Sequence, residues 1–393
     1  MNRRKISDRI DAVGAIDWDR REFDALIPLP DGTSYNSYLV QGNEKTVLID
    51  AVDPSKRSVL YENLEGVAEI HYIVSNHTEQ DHSGLLGDVL ARYPKAKVLC
   101  SAKAKGLLVD HLHLPENILE VVADGATLSL GDRTLEFIST PWVHWPETMS
   151  TYLREEKILF SCDFFGSHLA QSDVFVVDEG RVYEPAKRYF GEIMMPFRTT
   201  IRKNLERLAG YEIAMIAPSH GPVYPRPEFI LAAYRDWSSE DVKNSVVIPY
   251  ISMHGSTAIM VDRLVDALIA HGVSVHPLNM EEADLGKLAS DLVDAATVVF
   301  GTPTVLVGPH PKIAYAAFLA NALRPKTRFA SIVGSFGWAS KIVEQITALT
   351  SNLKLEILPP VISRGLPRPA DLEAVDTLAG TIAAKHKALG LLG

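Results

Sequence analysis

Through residues 1–240 the apolar positions come in short runs bounded by polar turns, the spacing expected of strands with helices between them. Tyr38-Leu39-Val40 and Val47-Leu48-Ile49-Asp50 flank the polar turn Gly42-Asn43-Glu44 and predict a hairpin. A polar, helix-compatible stretch runs to about Glu69. After it the pattern predicts a strand at His71-Tyr72-Ile73-Val74-Ser75, a helix from Leu85 to Arg92, a strand at Lys97-Val98-Leu99-Cys100 and a helix from Gly106 to His111. Four strands then follow in succession, at Thr127 to Leu130, Leu135 to Ile138, Ser150 to Leu153 and Ile158 to Ser161. The expected architecture is an α/β sandwich with sheets inside and helices outside. A helix from about Glu228 to Trp237 and the polar link Ser238-Ser239-Glu240-Asp241 lead into residues 241–393, where the pattern becomes regular. Strands at Ser245 to Ile251, Val273 to Leu278, Thr297 to Gly301, Phe329 to Gly334 and Leu353 to Leu358 alternate with helices at Ala258 to Ala270, Leu285 to Leu292, Lys312 to Leu323, Lys341 to Leu349 and Asp371 to Leu389. Five strands with helices between them predict a doubly wound parallel sheet.

Candidate chemistry sits where strands run out. The strand at 71–75 passes into Asn76-His77-Thr78-Glu79-Gln80-Asp81-His82, which puts two imidazoles and two carboxylates within six residues. In an extended segment the alternation His-x-Glu-x-Asp points three side chains to one side, and the adjacent His82 offers a second direction, so the run suits two metals side by side. Taken alone, any one of these residues is better read as part of a solvated turn; all four together are not. Three later strand ends add one ligand-type residue each: His144 in the Pro- and Trp-rich loop 140–148, Asp163 after Leu159-Phe160-Ser161-Cys162, and His220 between Pro218 and Pro222. The bland readings are loop histidines for His144 and His220, and a helix cap for Asp163.

The second half begins with a strand followed by Ser252-Met253-His254-Gly255-Ser256-Thr257 and a helix. Backbone N–H groups at a helix start, with Ser and Thr hydroxyls, suit a monophosphate. The pattern is neither GxGxxG nor a Gly-Lys-Ser/Thr loop. Thr302-Pro303-Thr304-Val305 and Ser335-Phe336-Gly337-Trp338 follow the third and fourth strands, at the carboxyl ends where ligands of such sheets bind. Their backbone groups suit the polar edge of a flavin, with Trp338 or Phe336 against its face.

Composition narrows the partners. The 393 residues allow roughly two or three domains. A net charge of −10 argues against nucleic acid or an anionic membrane as a partner. No run approaches the ~18 apolar residues of a membrane span, the N-terminus has no secretory pattern, and two cysteines, Cys100 and Cys162, do not make a disulfide framework. The expected compartment is the cytoplasm. Arg181, Lys187, Arg188, Arg198, Arg202, Lys203 and Arg207 form a locally basic region, either a solvated helix face or a docking patch for a small acidic electron carrier.

Taken together, these motifs resemble those of flavodiiron proteins, a metallo-β-lactamase-like αββα domain followed by a flavodoxin-like domain, and the likeness covers nearly the whole chain. The domains would be 1–240 and 241–393. The resemblance implies metal ligands at His77, Glu79, Asp81, His82, His144, Asp163 and His220, with Asp163 bridging two irons. In some members the residue corresponding to His82 is a ligand, and in others it is turned away. FMN would be held at Ser252 to Thr257, Thr302 to Val305 and Ser335 to Trp338. The residues agree on their own grounds: hydrolytic zinc enzymes of this fold resemble His-x-His-x-Asp-His, whereas Glu79 takes the second position here, and an oxygen-rich set suits iron or manganese better than zinc. The implied activity is reduction of dioxygen to water, of nitric oxide to nitrous oxide, or both. An external donor such as rubredoxin or a reduced deazaflavin would supply the electrons, and the implied assembly is a head-to-tail homodimer or a dimer of dimers. The alternatives are a zinc hydrolase fused to a flavodoxin-like domain, and a non-catalytic gas sensor or electron carrier.

Overall fold

The computed structural model describes residues 3–282 and 284–392. Contacts divide the chain into two units. The first takes the residues up to Tyr189 together with Phe197–Ser238; the second takes Phe190–Pro196 together with the residues from Ser239 onward.

Two sheets form the middle of the first unit. The larger has the order Arg4–Ser7, Ile10–Ala12, Tyr38–Gln41, Thr46–Ile49, Tyr72–Ser75, Lys97–Cys100, Leu119–Val121. Its neighbour has the order Thr127–Ser129, Thr134–Ser139, Met149–Leu153, Ile158–Cys162, Met215–Pro218. Successive side chains of a strand point to opposite faces, and the core divides accordingly. Val40, Val47, Ile49, Val74 and Leu99 pack with Phe137, Leu153, Ile158 and Phe160 between the sheets. Leu39, Leu48, Ile73 and Val98 face the other way, onto Leu60, Leu86, Val89 and Leu108 of the outer helices. Met149–Leu153 and Ile158–Cys162 are buried at every position, and their polar members Ser150, Thr151 and Ser161 are buried with the rest.

In the second unit all strands of the main sheet are parallel, in the order Ser274–Asn279, Lys243–Tyr250, Ala295–Val305, Phe329–Phe336, and finally an edge in two pieces. The edge pieces are Glu356–Ile357 and Val361–Arg364, each paired with Phe329–Phe336. The sequence pattern places one strand at Leu353 to Leu358. The structure breaks it because Pro359 and Pro360 have no N–H to give to a ladder. Ala295–Val305 also runs beyond its expected end at Gly301 and turns back at Leu306-Val307 to pair with Gly308–Pro309. The seven residues Phe190–Pro196 close this unit, and Gly191 comes so near that a Cβ there would stand 2.7 Å from the Ala289 carbonyl oxygen.

The basic residues of 181–207 lie on Glu179–Tyr189 and Arg198–Leu208. Arg207 is spent internally, on Asp124 at 2.6 Å and the Ser139 carbonyl at 3.0 Å, and Arg188 donates to the Pro28 carbonyl at 3.0 Å. No helix among the described residues is long and apolar enough to cross a membrane.

Candidate metal centre

A buried clamp positions the start of the cluster. Asp50 follows the strand Thr46–Ile49, and its carboxylate accepts the Asn76 backbone N–H at 2.8 Å and the Asn76 amide at 3.0 Å. Asn76 in turn accepts the Thr151 hydroxyl at 2.8 Å. Burial pushes the Asp50 carboxyl up to about 6, against the pull of His82 and the Asn76 hydrogen bonds. The chain therefore enters His77 on a fixed path.

Beyond Glu79 the chain is not extended, contrary to what the alternation suggests. Gln80–Ser83 is a helical turn capped at Glu79, whose carbonyl accepts the N–H groups of His82 and Ser83. This turn carries Asp81 and His82 away from His77 and Glu79, and two groups result. His77, Glu79, His144 and Asp163 bring one ligand atom each to within 4.8 Å of one another, and so do Asp81, His82 and His220. Asp163 stands between them. Its Oδ2 is 3.4 Å from His77 Nε2 and 3.5 Å from His144 Nε2, while its Oδ1 is 3.0 Å from His82 Nε2 and 3.4 Å from His220 Nε2. Asp81 Oδ2 lies 3.2 Å from His82 and 3.1 Å from His220. All seven candidate ligands converge here, and His82 faces the cluster.

The donors fit a pair of cations. Both oxygens of Asp81 and of Asp163, and both ring nitrogens of His82, are buried with no hydrogen-bond partner, an expensive arrangement unless something positive satisfies them. Charge points the same way. Burial opposes protonation of His77 and His220, yet the carboxylates outweigh it: His77, bonded to Glu147 and Glu79, is held well above the ordinary histidine range, and His220, facing the Asp163 and Asp81 carboxylates, is pushed up to about 10. Burial would raise the Asp163 carboxyl, but the charge of His82 and the nearness of the His220 and His77 rings hold it well below its usual value. Protons on imidazoles balance carboxylates that a bound cation would balance instead. Cys162 also lies near His82 and Asp163, and burial, with Asp50 and Asp163 adding to it, keeps its thiol well above the usual range.

Outer partners set the direction of the rings. His220 Nδ1 donates to the Ser34 carbonyl at 2.7 Å, which turns Nε2 to the cluster. His77 Nδ1 donates to Glu147 Oε1 at 2.7 Å, and the same oxygen accepts the Thr78 hydroxyl at 2.7 Å and the Thr78 N–H at 3.2 Å. His168 is buried, its Nδ1 2.9 Å from the Thr33 hydroxyl and its ring 4.9 Å from those of His220 and Tyr189. Glu147 lies in the loop 140–148 beside His144 without a ligand spacing of its own, His168 and Tyr189 belong to no motif, and all three meet the cluster through tertiary contacts.

In the second unit Gly255, at φ 86°, caps the helix Ser256–Ala270, and Ser252 Oγ accepts the Ala258 N–H at 3.2 Å. A cavity of about 340 Å³ opens there, lined by Ser252, Met253, His254, Ser256 and Thr257 on one side and by Pro303, Thr304, Ser335, Phe336 and Gly337 on the other. Its size and concentration of small polar groups suit a nucleotide-sized ligand. Thr302 is turned to the backbone, accepting the His310 N–H at 2.9 Å, while Val305 belongs to the hairpin and Trp338 is mostly exposed, so none of the three lines the cavity. Gly365 does line it and stands outside the expected loops.

Comparisons with known proteins identify relatives of this chain. Residues 33–221 match the family model described as ODP family beta lactamase. The chain is 34% identical to a nitric oxide reductase of Moorella thermoacetica, over 97% of this chain and 98% of that one. It is 31% identical to a rubredoxin-oxygen oxidoreductase of Megalodesulfovibrio gigas, over 99% of both chains. Among solved structures, rubredoxin oxygen:oxidoreductase from Desulfovibrio gigas superposes with a TM-score of 0.95 at 31% identity, covering 98% of this chain and 99% of that one. The flavodiiron protein from Giardia intestinalis superposes with 0.93 at 28% identity, covering 99% and 97%. Fold and site together define a two-unit oxidoreductase, a β-lactamase-like metal unit joined to a flavodoxin-like unit. The chain belongs to the flavodiiron protein family.

Proposed function

We propose that the chain takes electrons from an external donor and reduces dioxygen to water, nitric oxide to nitrous oxide, or both. Bound FMN would relay electrons and a pair of bound irons would supply the redox centre at which the diatomic is reduced. The observation that carries this reading is Asp163, with one oxygen turned to each half of a seven-residue donor set and both oxygens otherwise unpaired. His77, Glu79 and His144 would hold one iron, Asp81, His82 and His220 the other, and Asp163 would bridge them. Glu79, Asp81 and Asp163 make the set rich in hard oxygen donors, which favours iron over zinc and speaks against a hydrolase. Glu147 and the Ser34 carbonyl keep His77 and His220 aimed inward, and His77, Asp81, His82, Asp163 and His220 are buried.

Ser252, Met253, His254, Gly255, Ser256 and Thr257 would hold the FMN phosphate at a helix start. Pro303, Thr304, Ser335, Phe336 and Gly337 would border the ring. The proposed domains are residues 1–240 for the metals and 241–393 for the flavin. Relatives named for rubredoxin and for coenzyme F420H2 support a donor of one of those two kinds. A head-to-tail homodimer, with the flavin of one chain serving the irons of its partner, completes the proposal. A cytoplasmic location accords with the two free, buried cysteines. The test is anaerobic turnover with each gas in turn, using reduced rubredoxin or a reduced deazaflavin, alongside metal analysis. Full zinc occupancy in protein from iron-replete cells, or no consumption of either gas, would sink the reading.

A further inference from the structure

Phe164 and Phe165 directly follow Asp163 and stack with ring centroids 4.0 Å apart. From there the rings continue away from the metal cluster. Phe165 lies 4.8 Å from Tyr234, Tyr234 lies 5.4 Å from Trp237, and Trp237 lies 5.4 Å from Tyr183. The Trp237 indole N–H donates to the Tyr183 hydroxyl at 3.3 Å. Phe165, Tyr234 and Trp237 are fully buried, whereas Tyr183 is half-buried and reaches solvent. All of these residues belong to the first unit.

Ring packing needs only apolar rings, which Phe would supply; the chain instead sets a phenol and an indole in series, with the indole N–H held by the Tyr183 hydroxyl. Tyrosine and tryptophan can lose one electron where phenylalanine cannot. Electron tunnelling decays exponentially with distance, so rings in near contact make each step short.

We propose that Tyr234, Trp237 and Tyr183 are an outlet for oxidising equivalents, protecting the metal ligands when dioxygen meets a centre that is short of electrons. The inference rests on the reading that the centre reduces dioxygen. Each use of the outlet moves one electron inward. The electron-short centre takes an electron from Trp237 by way of Tyr234, and Tyr183 refills Trp237. Tyr183 thereby loses one electron, and its phenolic proton passes to solvent, which leaves a neutral phenoxyl at the surface. An external reductant of the thiol or ascorbate class returns one hydrogen atom and restores the phenol.

The test uses the full chain loaded with iron and FMN, reduced with less donor than full turnover needs, mixed with dioxygen and freeze-quenched. Protein radicals are read by electron paramagnetic resonance, oxidised residues by peptide mass spectrometry, and dioxygen uptake is measured on the same samples. The wild type is expected to show a phenoxyl signal that Tyr183→Phe, which removes only a hydroxyl, abolishes. Trp237→Phe is expected to oxidise the His77, His82 and His220 peptides several-fold more per dioxygen consumed, with turnover under ample donor unchanged. Dioxygen uptake without any protein radical, a radical that persists in Tyr183→Phe, or equal ligand oxidation in all three proteins would overturn the outlet alone. Absence of dioxygen uptake by the wild type would overturn the parent reading and the outlet with it.

Discussion

Replacing Glu147 by Gln probes how firmly the first iron position is held. Glu147 Oε1 accepts three hydrogen bonds, from His77 Nδ1 at 2.7 Å, the Thr78 hydroxyl at 2.7 Å and the Thr78 N–H at 3.2 Å. Burial would raise this carboxyl, but the bond and charge of His77 outweigh it and hold the group below the ordinary glutamate range. In Glu147→Gln the amide oxygen keeps the three positions, yet a bond to a neutral acceptor is worth about half of one to a carboxylate. The amide NH2 would take the place of Oε2, which is buried with no partner, so two donors are stranded at about 1–3 kcal/mol. Loss of a carboxylate behind a ligating histidine lowers metal affinity by about 10–100-fold, which is about 1.4–2.7 kcal/mol. Metal-free protein titrated anaerobically with ferrous iron against a competing chelator measures this directly, with thermal unfolding of the metal-free chain as the control for folding. A folded Glu147→Gln protein that binds iron within about twofold of wild type would refute the argument, since the expected loss is at least tenfold.

Four further outcomes are expected. Asp163→Asn should lose iron and gas reduction while FMN stays bound and reducible, as read by metal analysis and the flavin spectrum. Gly337→Trp should block FMN without unfolding the chain, because a Cβ at Gly337 meets nothing within 4 Å and the position borders the cavity; tight FMN binding by this variant would place the flavin elsewhere. His386 is fully buried between the Thr297 hydroxyl and the Asn244 amide oxygen, both at 2.8 Å, and burial lowers its pKa to about 4. The unfolded chain therefore takes up a proton near pH 6.5 that the folded one refuses until about pH 4. Stability of the second unit should fall by about 1.4 kcal/mol for each pH unit across that window and be level above it, and hydrogen exchange in the strand Lys243–Tyr250 should show no such slope in His386→Leu. Finally, a mixed dimer of an Asp163→Asn chain and a Gly337→Trp chain should retain activity; a folded but inactive mixed dimer would exclude electron passage between chains.

The sheets were legible because their strands alternate or run unbroken in apolar residues, and the ligands because they recur at strand ends. The legibility failed where the determining interaction was not local. Leu306 and Val307 turn with φ of 47° and 76°, a conformation that ordinarily calls for Asn or Gly, so nothing at these positions announces the hairpin. At the sheet edge Leu353 to Leu358 is the apolar run, whereas the ladder beyond the two prolines is made by Val361–Arg364. The His-x-Glu-x-Asp spacing at Asp81 and His82 matches a strand; the Glu79 carbonyl closes a helical turn instead. The role of Glu147 has no local signature, because it is fixed by His77, 70 residues away in the sequence.

The seven residues Phe190–Pro196, encoded in the first half of the chain yet folded with the second unit, bear on how the protein can be taken apart. A fragment beginning at 241 would lack them and would leave the surface against Gly191, around Ala289 and Ser290, open to water. Severing the polypeptide at the interdomain link would therefore not release two self-sufficient modules. A nicked protein should stay associated through this borrowed strap, and a transplanted flavin module would have to bring the strap with it.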